Sequence, residues 1–405
     1  MQQGDENVAK KLFALAGAGK ICGWALRTAV KNSDKNLFDR ITIGEYNLEA
    51  ANALKAELDD PRVDVVKIDI NDEADAISKM KGYDVVLDGS TIKLNGISTR
   101  IIAQAGCSGL NLNGFGEEYK YSDIFKKNGR IHIPGYGMTP GLTDSMVRAG
   151  SEKLDKIDTV RVSHCAFRPI AYSPAIFETT SYEYDPNLPG RVVYEDGQLK
   201  QVPPFARERL IPTPLPYGTN PQYIIPHSEV HTATEYLKKI GKPPRLVEVR
   251  GTWPQKNMRL IKALYEWGIM KNEEFTYNGT EMKIMDVIGA YLQQKEEGKV
   301  TDLYGYCLYI QLLGEKNGRK YEQVLYHTHP KSDGSVKGWE GLTAYIRNVG
   351  TPMGIAALLI AQGKSAGTGC VTPEEAFDPA DVFAALEPIG IRIHQSEREI
   401  ADYNY

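Results

Sequence analysis

Residues 10–24, KKLFALAGAGKICGW, constrain the fold of this chain more than any other stretch. A short apolar run stops at Gly17-Ala18-Gly19. Ile21, Trp24, Ala25 and Leu26 then follow at helical spacing, so the segment reads as strand, tight turn, helix. Gly17 permits the turn and Gly19 lets a bulky anion approach the backbone. The helix that begins there offers free N–H groups and the positive end of its dipole. The expected ligand is the diphosphate of a dinucleotide, with Gly17, Gly19, Lys20 and Ile21 around it. The match to GxGxxG is incomplete: Cys22 stands at the third glycine position and Gly23 follows one residue later. Lys20 either adds a cation beside the diphosphate or is simply solvated.

Alternating strands and helices continue from this turn. The β-branched run 37–45 predicts a second strand ending in Glu45, roughly 20 residues past the glycines. At that spacing a carboxylate accepts the adenosine ribose hydroxyls and repels a 2′-phosphate, which favours NAD over NADP. The competing reading is an exposed strand-end glutamate. Asn47 can cap a helix with Leu48, Ala51, Leu54 and Leu58 on one face, ended by Asp60-Pro61. A third strand spans 63–70, and Asp69 or Asn71 at its end either touches the adenine or faces solvent. After a helix over 73–80, the run 84–87 suits a parallel strand buried on both faces. Its terminal turn, Asp88-Gly89-Ser90-Thr91, is expected near the nicotinamide half, with Gly89, Ser90 and Thr91 as cofactor contacts. A helix over 97–105 and strands at 109–113 and 130–134 extend the pattern to 134–144, PGYGMTPGLTD, the expected exit from the first domain.

With 405 residues, 42% of them hydrophobic, the chain can bury two or three domains at about 150 residues each. A net charge of -4 and a pI near 6.1 give no general attraction to nucleic acid or anionic membrane. No apolar run approaches the roughly 20 residues needed to cross a bilayer, and the first residues lack a signal-peptide pattern, so a cytoplasmic location is expected. The five cysteines are scattered and never form CxxC, which argues against a disulfide framework and a zinc knuckle.

From 144 the pattern shifts to longer strands. Asn317-Gly318 between the alternating runs 303–313 and 321–329 is a hairpin signal. An insertion over 166–226, rich in Pro, Tyr and Arg, reads as irregular, and long loops of that kind are commonly functional. Ionisable residues gather in and just after it: Arg168, Tyr172, Glu178, Tyr217, Tyr223, His227, Glu229 and His231. An arginine can grip a carboxylate, a tyrosine can orient an amine, and histidine titrates near neutrality. Arg168, Glu178 and Arg259 are therefore candidate substrate contacts, and His227, Tyr217 and Tyr223 candidate proton carriers. The competing readings are a capping role for His227 and solvent exposure for Arg259. His227-Ser228-Glu229-Val230-His231 is not HExxH, because its glutamate is misplaced and no third ligand follows, so no metal is expected. His327 and His329 share one strand face, where sheet surface or a dimer contact is the simpler assignment.

The opening GAG, the strand ending in Glu45, PGYGMTPGLTD, NVGTPMGIAALLIAQGK at 348–364 and GCVTPEEAFDP at 369–379 together resemble the saccharopine dehydrogenase and lysine 6-dehydrogenase family over nearly the whole chain. The resemblance implies an α/β chain in three parts. These are a Rossmann domain over 1–143, an α+β domain of mixed sheet over 144–345 for substrate and dimer contacts, and a segment 346–405 returning to the first domain. It also implies an NAD-dependent oxidoreductase acting on a C–N bond of an amino acid or amine, most like lysine 6-dehydrogenase. Saccharopine formation and carboxynorspermidine synthesis are the alternatives within the family, and a non-catalytic dinucleotide sensor is the alternative outside it. The chain departs from the family pattern at Lys20 and Cys22, where a small residue is common, and at Asp88-Gly89-Ser90-Thr91, which replaces an Asn-Ala-Ala-Pro-like turn.

Overall fold

The computed structural model describes residues 9–114, 116–170, 174–188, 190–271, 273–294 and 303–403. The chain divides into two units, Met1–Ser145 with Ile346–Ile389, and Met146–Tyr345 with Gly390–Tyr405.

The first unit opens with β1 (Lys10–Leu15), α1 (Lys20–Lys31), β2 (Phe38–Glu45), α2 (Leu48–Leu58), β3 (Val63–Lys67), α3 (Glu73–Met80), β4 (Val85–Asp88), α4 (Asn95–Ala105), β5 (Ser108–Leu110), α5 (Ser122–Lys127) and β6 (Ile131–Ile133). Local chemistry sets these limits. Asn47 Oδ1 accepts the N–H groups of Glu49 (3.0 Å) and Ala50 (3.2 Å) and starts α2, and Asp59 ends it in the left-handed region at φ 46°. The central strands carry unbroken apolar runs: Leu12, Phe13, Ala14, Val86 and Leu87 are fully buried, as a parallel sheet covered on both faces requires.

After α6 (Leu142–Ser151), the second unit comprises β7 (Lys156–Phe167), α7 (Pro174–Tyr184), β8 (Val192–Glu195), β9 (Gln198–Gln201), β10 (Arg209–Pro212), β11 (Thr219–Ile224), α8 (Glu229–Lys239), β12 (Leu246–Thr252), α9 (Gln255–Glu266), β13 (Glu274–Tyr277), β14 (Thr280–Lys283), α10 (Ile284–Gln293), β15 (Gly305–Lys316) and β16 (Arg319–Thr328). The chain then forms α11 (Thr343–Ala361), β17 (Gly369–Cys370), α12 (Pro373–Ala376), α13 (Pro379–Leu386) and finally β18 (His394–Glu399).

The first sheet runs β17-β6-β5-β4-β1-β2-β3 with every pairing parallel, the doubly wound order that reverses between β1 and β4. α11 packs on α1 at glycine positions. A Cβ on Gly350 would lie 2.7 Å from the Ile21 carbonyl oxygen, and one on Gly354 would lie 2.4 Å from that of Ala25. Among the described residues α11 alone has the length and apolarity to cross a membrane, and 72% of that window is buried inside the protein, as in a core helix.

The second sheet runs β10-β11-β12-β7-β15-β16-β18, with β8 and β9 branching from β12. It is mixed, since β12 and β7 are parallel while β15 is antiparallel to both β7 and β16. Asn317 (φ 52°) and Gly318 (φ 75°) close the β15–β16 hairpin with the two positive φ angles of a type I′ turn. A buried polar row crosses this sheet. Arg161 Nε donates to Glu248 Oε1 (2.5 Å), Arg250 Nη2 to Glu248 Oε2 (2.8 Å), and Arg161 also donates to Gln311. Burial would raise the Glu248 carboxyl, but the two guanidinium groups outweigh it and hold it down at about 2.

Two sequence expectations are corrected. The insertion 166–226 is not irregular: it holds α7 and four strands, each of the strands too short to show a local period. Nor does all of 346–405 return to the first unit. β18 pairs with β16 from Tyr321↔Glu399 to Tyr326↔His394. Its residues, HQSERE, are all exposed, so no apolar alternation announces the strand, and the open edge of β16 supplies the reason for it to form.

Candidate active site

In the first unit the glycine turn is built as a cradle. A Cβ on Gly17 would sit 2.7 Å from the Ala14 carbonyl oxygen, and Gly19 precedes α1 without a side-chain cap, leaving the first N–H groups of the helix for an anion. Lys20 is exposed on the first helical turn and Ile21 is half-buried behind it. Glu45 is fastened to the turn: Oε2 accepts the Ala18 N–H (3.1 Å) and Oε1 the Tyr46 N–H (2.9 Å). A carboxylate so fixed still has lone pairs for ribose hydroxyls and presents negative charge to a 2′-phosphate.

The missing third glycine is restored elsewhere. A Cβ on Gly89 would lie 2.5 Å from Cys22 Cβ and 2.9 Å from its Sγ. The space that a glycine on α1 would leave is taken by Cys22 and given back at the end of β4. In the following turn, Ser90 donates its N–H to Asp88 Oδ1 (2.9 Å) and its hydroxyl to Ser98 Oγ (3.1 Å), while Thr91 is exposed. Asp88 is buried with Oδ2 unpartnered among the described residues, and burial pushes its carboxyl above the usual range. Asp69 Oδ1 accepts both the backbone N–H (2.9 Å) and the side-chain amide (3.0 Å) of Asn71, a local turn role.

In the second unit a set of buried ionisable and aromatic side chains converges. His227, just before α8, holds Glu229 Oε2 through Nδ1 at 2.9 Å. Burial by itself would lower the His227 imidazolium, but the Glu229 carboxylate outweighs it and the net shift is upward. The His164 ring lies 5.6 Å from that of His227 and 5.8 Å from Tyr306, and burial drives it down to about 3, so it is neutral. Tyr306 stacks on Tyr345 at 5.3 Å. Arg168 lies 5.8 Å from each of the Tyr345 and Trp253 rings, and its Nη2 donates to Thr180 Oγ1 (3.0 Å). Among the described residues its guanidinium has no carboxylate partner, although it is only 2% exposed. Glu183 on α7 completes the set, with its carboxyl pushed up to about 7 by burial against the opposing pull of His227, Arg168 and Arg191.

The structure thus brings Arg168 and His227 together and leaves the other candidates apart. Tyr217 donates its hydroxyl to His329 Nε2 (2.8 Å) in a small core with Cys165, Phe167 and Cys307. Tyr223 gives its own to Glu208 Oε2 (2.8 Å). Arg259 is exposed on α9. The side chain of Glu178 and all of Tyr172 lie outside the described residues. His164, Glu183, Tyr306 and Tyr345 escaped sequence reasoning. A lone histidine in the apolar run of β7 was a usable signal, whereas Glu183 in a tyrosine-rich stretch carried none. Among the described residues no group of three His, Cys, Asp or Glu could hold a metal ion.

Residues 13–131 match the saccharopine dehydrogenase NADP binding domain, and residues 189–391 match the saccharopine dehydrogenase C-terminal domain. The chain belongs to the saccharopine dehydrogenase family. Carboxyaminopropylagmatine dehydrogenase of Synechocystis sp. is 24% identical over 289 residues, which is 69% of this chain and 68% of that protein. Among solved structures, apo saccharopine dehydrogenase (L-Glu forming) from Saccharomyces cerevisiae superposes with a TM-score of 0.70 at 15% identity, covering 96% of this chain and 100% of that one. Homospermidine synthase from Legionella pneumophila, in complex with NAD, gives 0.61 at 12% identity, covering 96% and 91%. These superpositions establish the fold. Family membership makes the chain a saccharopine dehydrogenase-like oxidoreductase with a dinucleotide-binding domain.

Proposed function

We propose that this oxidoreductase uses NAD to make or break a C–N bond in an amine that also carries a carboxylate. The observation that supports this reading is Arg168, a buried guanidinium to which no carboxylate is bonded among the described residues, in the same cluster as the His227–Glu229 pair. An uncompensated buried cation is costly, and a substrate carboxylate compensates it with a two-pronged hydrogen bond. The curated relative acts, by its name, on carboxyaminopropylagmatine, a compound with both carboxy and amino groups. That widens the substrate class from amino acids such as lysine to carboxylated polyamine derivatives.

Gly17, Gly19 and the start of α1 hold the diphosphate, and Glu45 holds the adenosine ribose. The nicotinamide supplies or accepts the hydride. His227 moves the proton at the substrate nitrogen, with Glu229 fixing its ring and stabilising its protonated form. Amine oxidation requires the neutral imidazole, so its rate rises with pH through the raised His227 pKa; imine reduction requires the imidazolium and falls there.

The test is a panel of amines and amino acids, with and without a carboxylate, assayed with NAD. Imine reduction is assayed in parallel from amine and aldehyde mixtures with NADH. Turnover confined to carboxylate-bearing amines is expected. No turnover of any amine, with NADH still bound, would remove the reading.

A further inference from the structure

Lys10, Asp84, Ser108 and Arg130 stand at or just before the first residues of β1, β4, β5 and β6, so the parallel sheet gathers them at its N-terminal edge. There they line a cavity of about 260 Å³ within the first unit, together with Ile360 and Ser365 at and beyond the end of α11. Dinucleotides bind beyond the carboxyl ends of such strands, where the glycine cradle lies. β1 is six residues long, which puts the cavity about 20 Å from the cradle.

The charges in the lining do not cancel. Two cations stand against one carboxylate, and that carboxylate is already engaged. Asp84 Oδ2 accepts the Lys11 N–H (3.0 Å), and Oδ1 meets Arg130 Nη1 only at 3.5 Å, the long limit of a hydrogen bond. Among the described residues the half-buried Arg130 guanidinium has no other partner, and the half-buried Lys10 ammonium has none. The negative end of α11 is tied off by its own chain. The carbonyls of Leu358, Leu359 and Ile360 accept the N–H groups of Gln362 (2.9 Å), Lys364 (2.9 Å) and Gly363 (3.0 Å), with Gly363 in the left-handed region at φ 71°. Donors remain: the Arg130 fork, the Lys10 ammonium and two serine hydroxyls. Ser108 Oγ already accepts the Ile131 N–H (3.4 Å) and keeps its own proton to donate.

We propose that this cavity binds a phosphate group, free or as a small monoester, with its oxygens on Arg130 and Lys10. A dianion balances both cations, where a monocarboxylate leaves one uncompensated. A guanidinium fork beside an ammonium is also the chemistry that recognises phosphate oxygens. The volume lies just below the roughly 300 Å³ at which small-molecule pockets begin, which suits a short ester rather than a nucleotide. The site stands apart from the oxidoreductase reading and does not depend on it.

Calorimetric titration of the full chain at pH 8 and matched ionic strength, with inorganic phosphate, methyl phosphate, acetate and malonate, tests the site. One of the two phosphates is expected to bind at least about tenfold more tightly than either carboxylate. Lys10→Met and Arg130→Met should each weaken it by about tenfold, the scale of one charge-assisted hydrogen bond. Tighter binding of methyl phosphate assigns the site to an ester, and tighter binding of inorganic phosphate assigns it to the free ion. Lys10→Met removes a side chain that no described residue bonds, so it carries the test if Arg130→Met, which also frees Asp84, does not fold. Acetate or malonate binding as tightly as phosphate overturns the proposal. Phosphate that Lys10→Met leaves unweakened overturns it too, and its displacement by NADH would place it in the glycine cradle.

Discussion

Glu45 is fastened to the glycine turn, and under the proposed function the same side chain serves the ligand. Each of its oxygens already accepts a backbone N–H, from Ala18 and from Tyr46, so the charge is fixed before any cofactor arrives. Glu45→Gln keeps the shape and removes the charge that repels a 2′-phosphate. Under the proposed use of NAD, fluorescence titration should show a wild-type preference for NADH over NADPH that falls by about tenfold or more in the variant, the scale of a charge-assisted hydrogen bond. An unchanged ratio would take Glu45 out of cofactor selection. Glu183 makes the opposite case, a charge held at a cost to the fold. Its carboxyl rises from an ordinary 4.5 to about 7, so between those values the folded state binds more protons than the unfolded state. Stability therefore falls as pH rises through that window and levels off above it, by at most about 3 kcal/mol. Glu183→Gln should unfold at a higher temperature than the wild type at pH 8, with the advantage shrinking towards pH 4.5. Equal melting temperatures at pH 8 would contradict the burial argument.

At the scale of elements, α1 and β4 exchange a glycine. Cys22 fills the position that the motif usually leaves empty, and Gly89 at the end of β4 makes room for it. Gly89→Ala should lower stability by about 1–3 kcal/mol through overpacking and weaken dinucleotide binding. Adding Cys22→Gly removes both nearest clashing atoms and should recover part of the loss; some strain stays, because the Ala16 carbonyl oxygen lies 3.0 Å from the same Cβ position. Denaturant unfolding of the two single variants and the double variant measures the coupling, and simple additivity would show that the contact is not the cause. The motif was legible from Gly17 and Gly19 alone, but the compensation was not. Cys22 and Gly89 are distant in sequence, and they meet because β1 and β4 are neighbours in the sheet.

For the whole molecule, the last strand is the point at which the expected division of the chain failed. β18 is fully exposed and polar, yet it pairs along β16 from Tyr321 to Tyr326. A chain ending at residue 389 would leave that edge bare. It should melt earlier than the full chain and self-associate as its concentration rises, both measurable by light scattering during thermal unfolding. An unchanged melting temperature would show that the strand adds little to the second unit.

The sequence by itself determined the doubly wound unit, the glycine cradle with Glu45, and the hairpin closed by Asn317-Gly318. These rest on short-range period, turn chemistry and helix capping, which neighbouring residues carry between them. Only the tertiary structure decided which ionisable residues converge. Register places Tyr306 opposite Ala166, beside His164, and helix packing adds Glu183 and Glu229, while Tyr217 and Tyr223 are bound to other partners. A side chain's type can be read from the chain, but whether its charge is matched, shared or left waiting depends on what the folded backbone brings within reach.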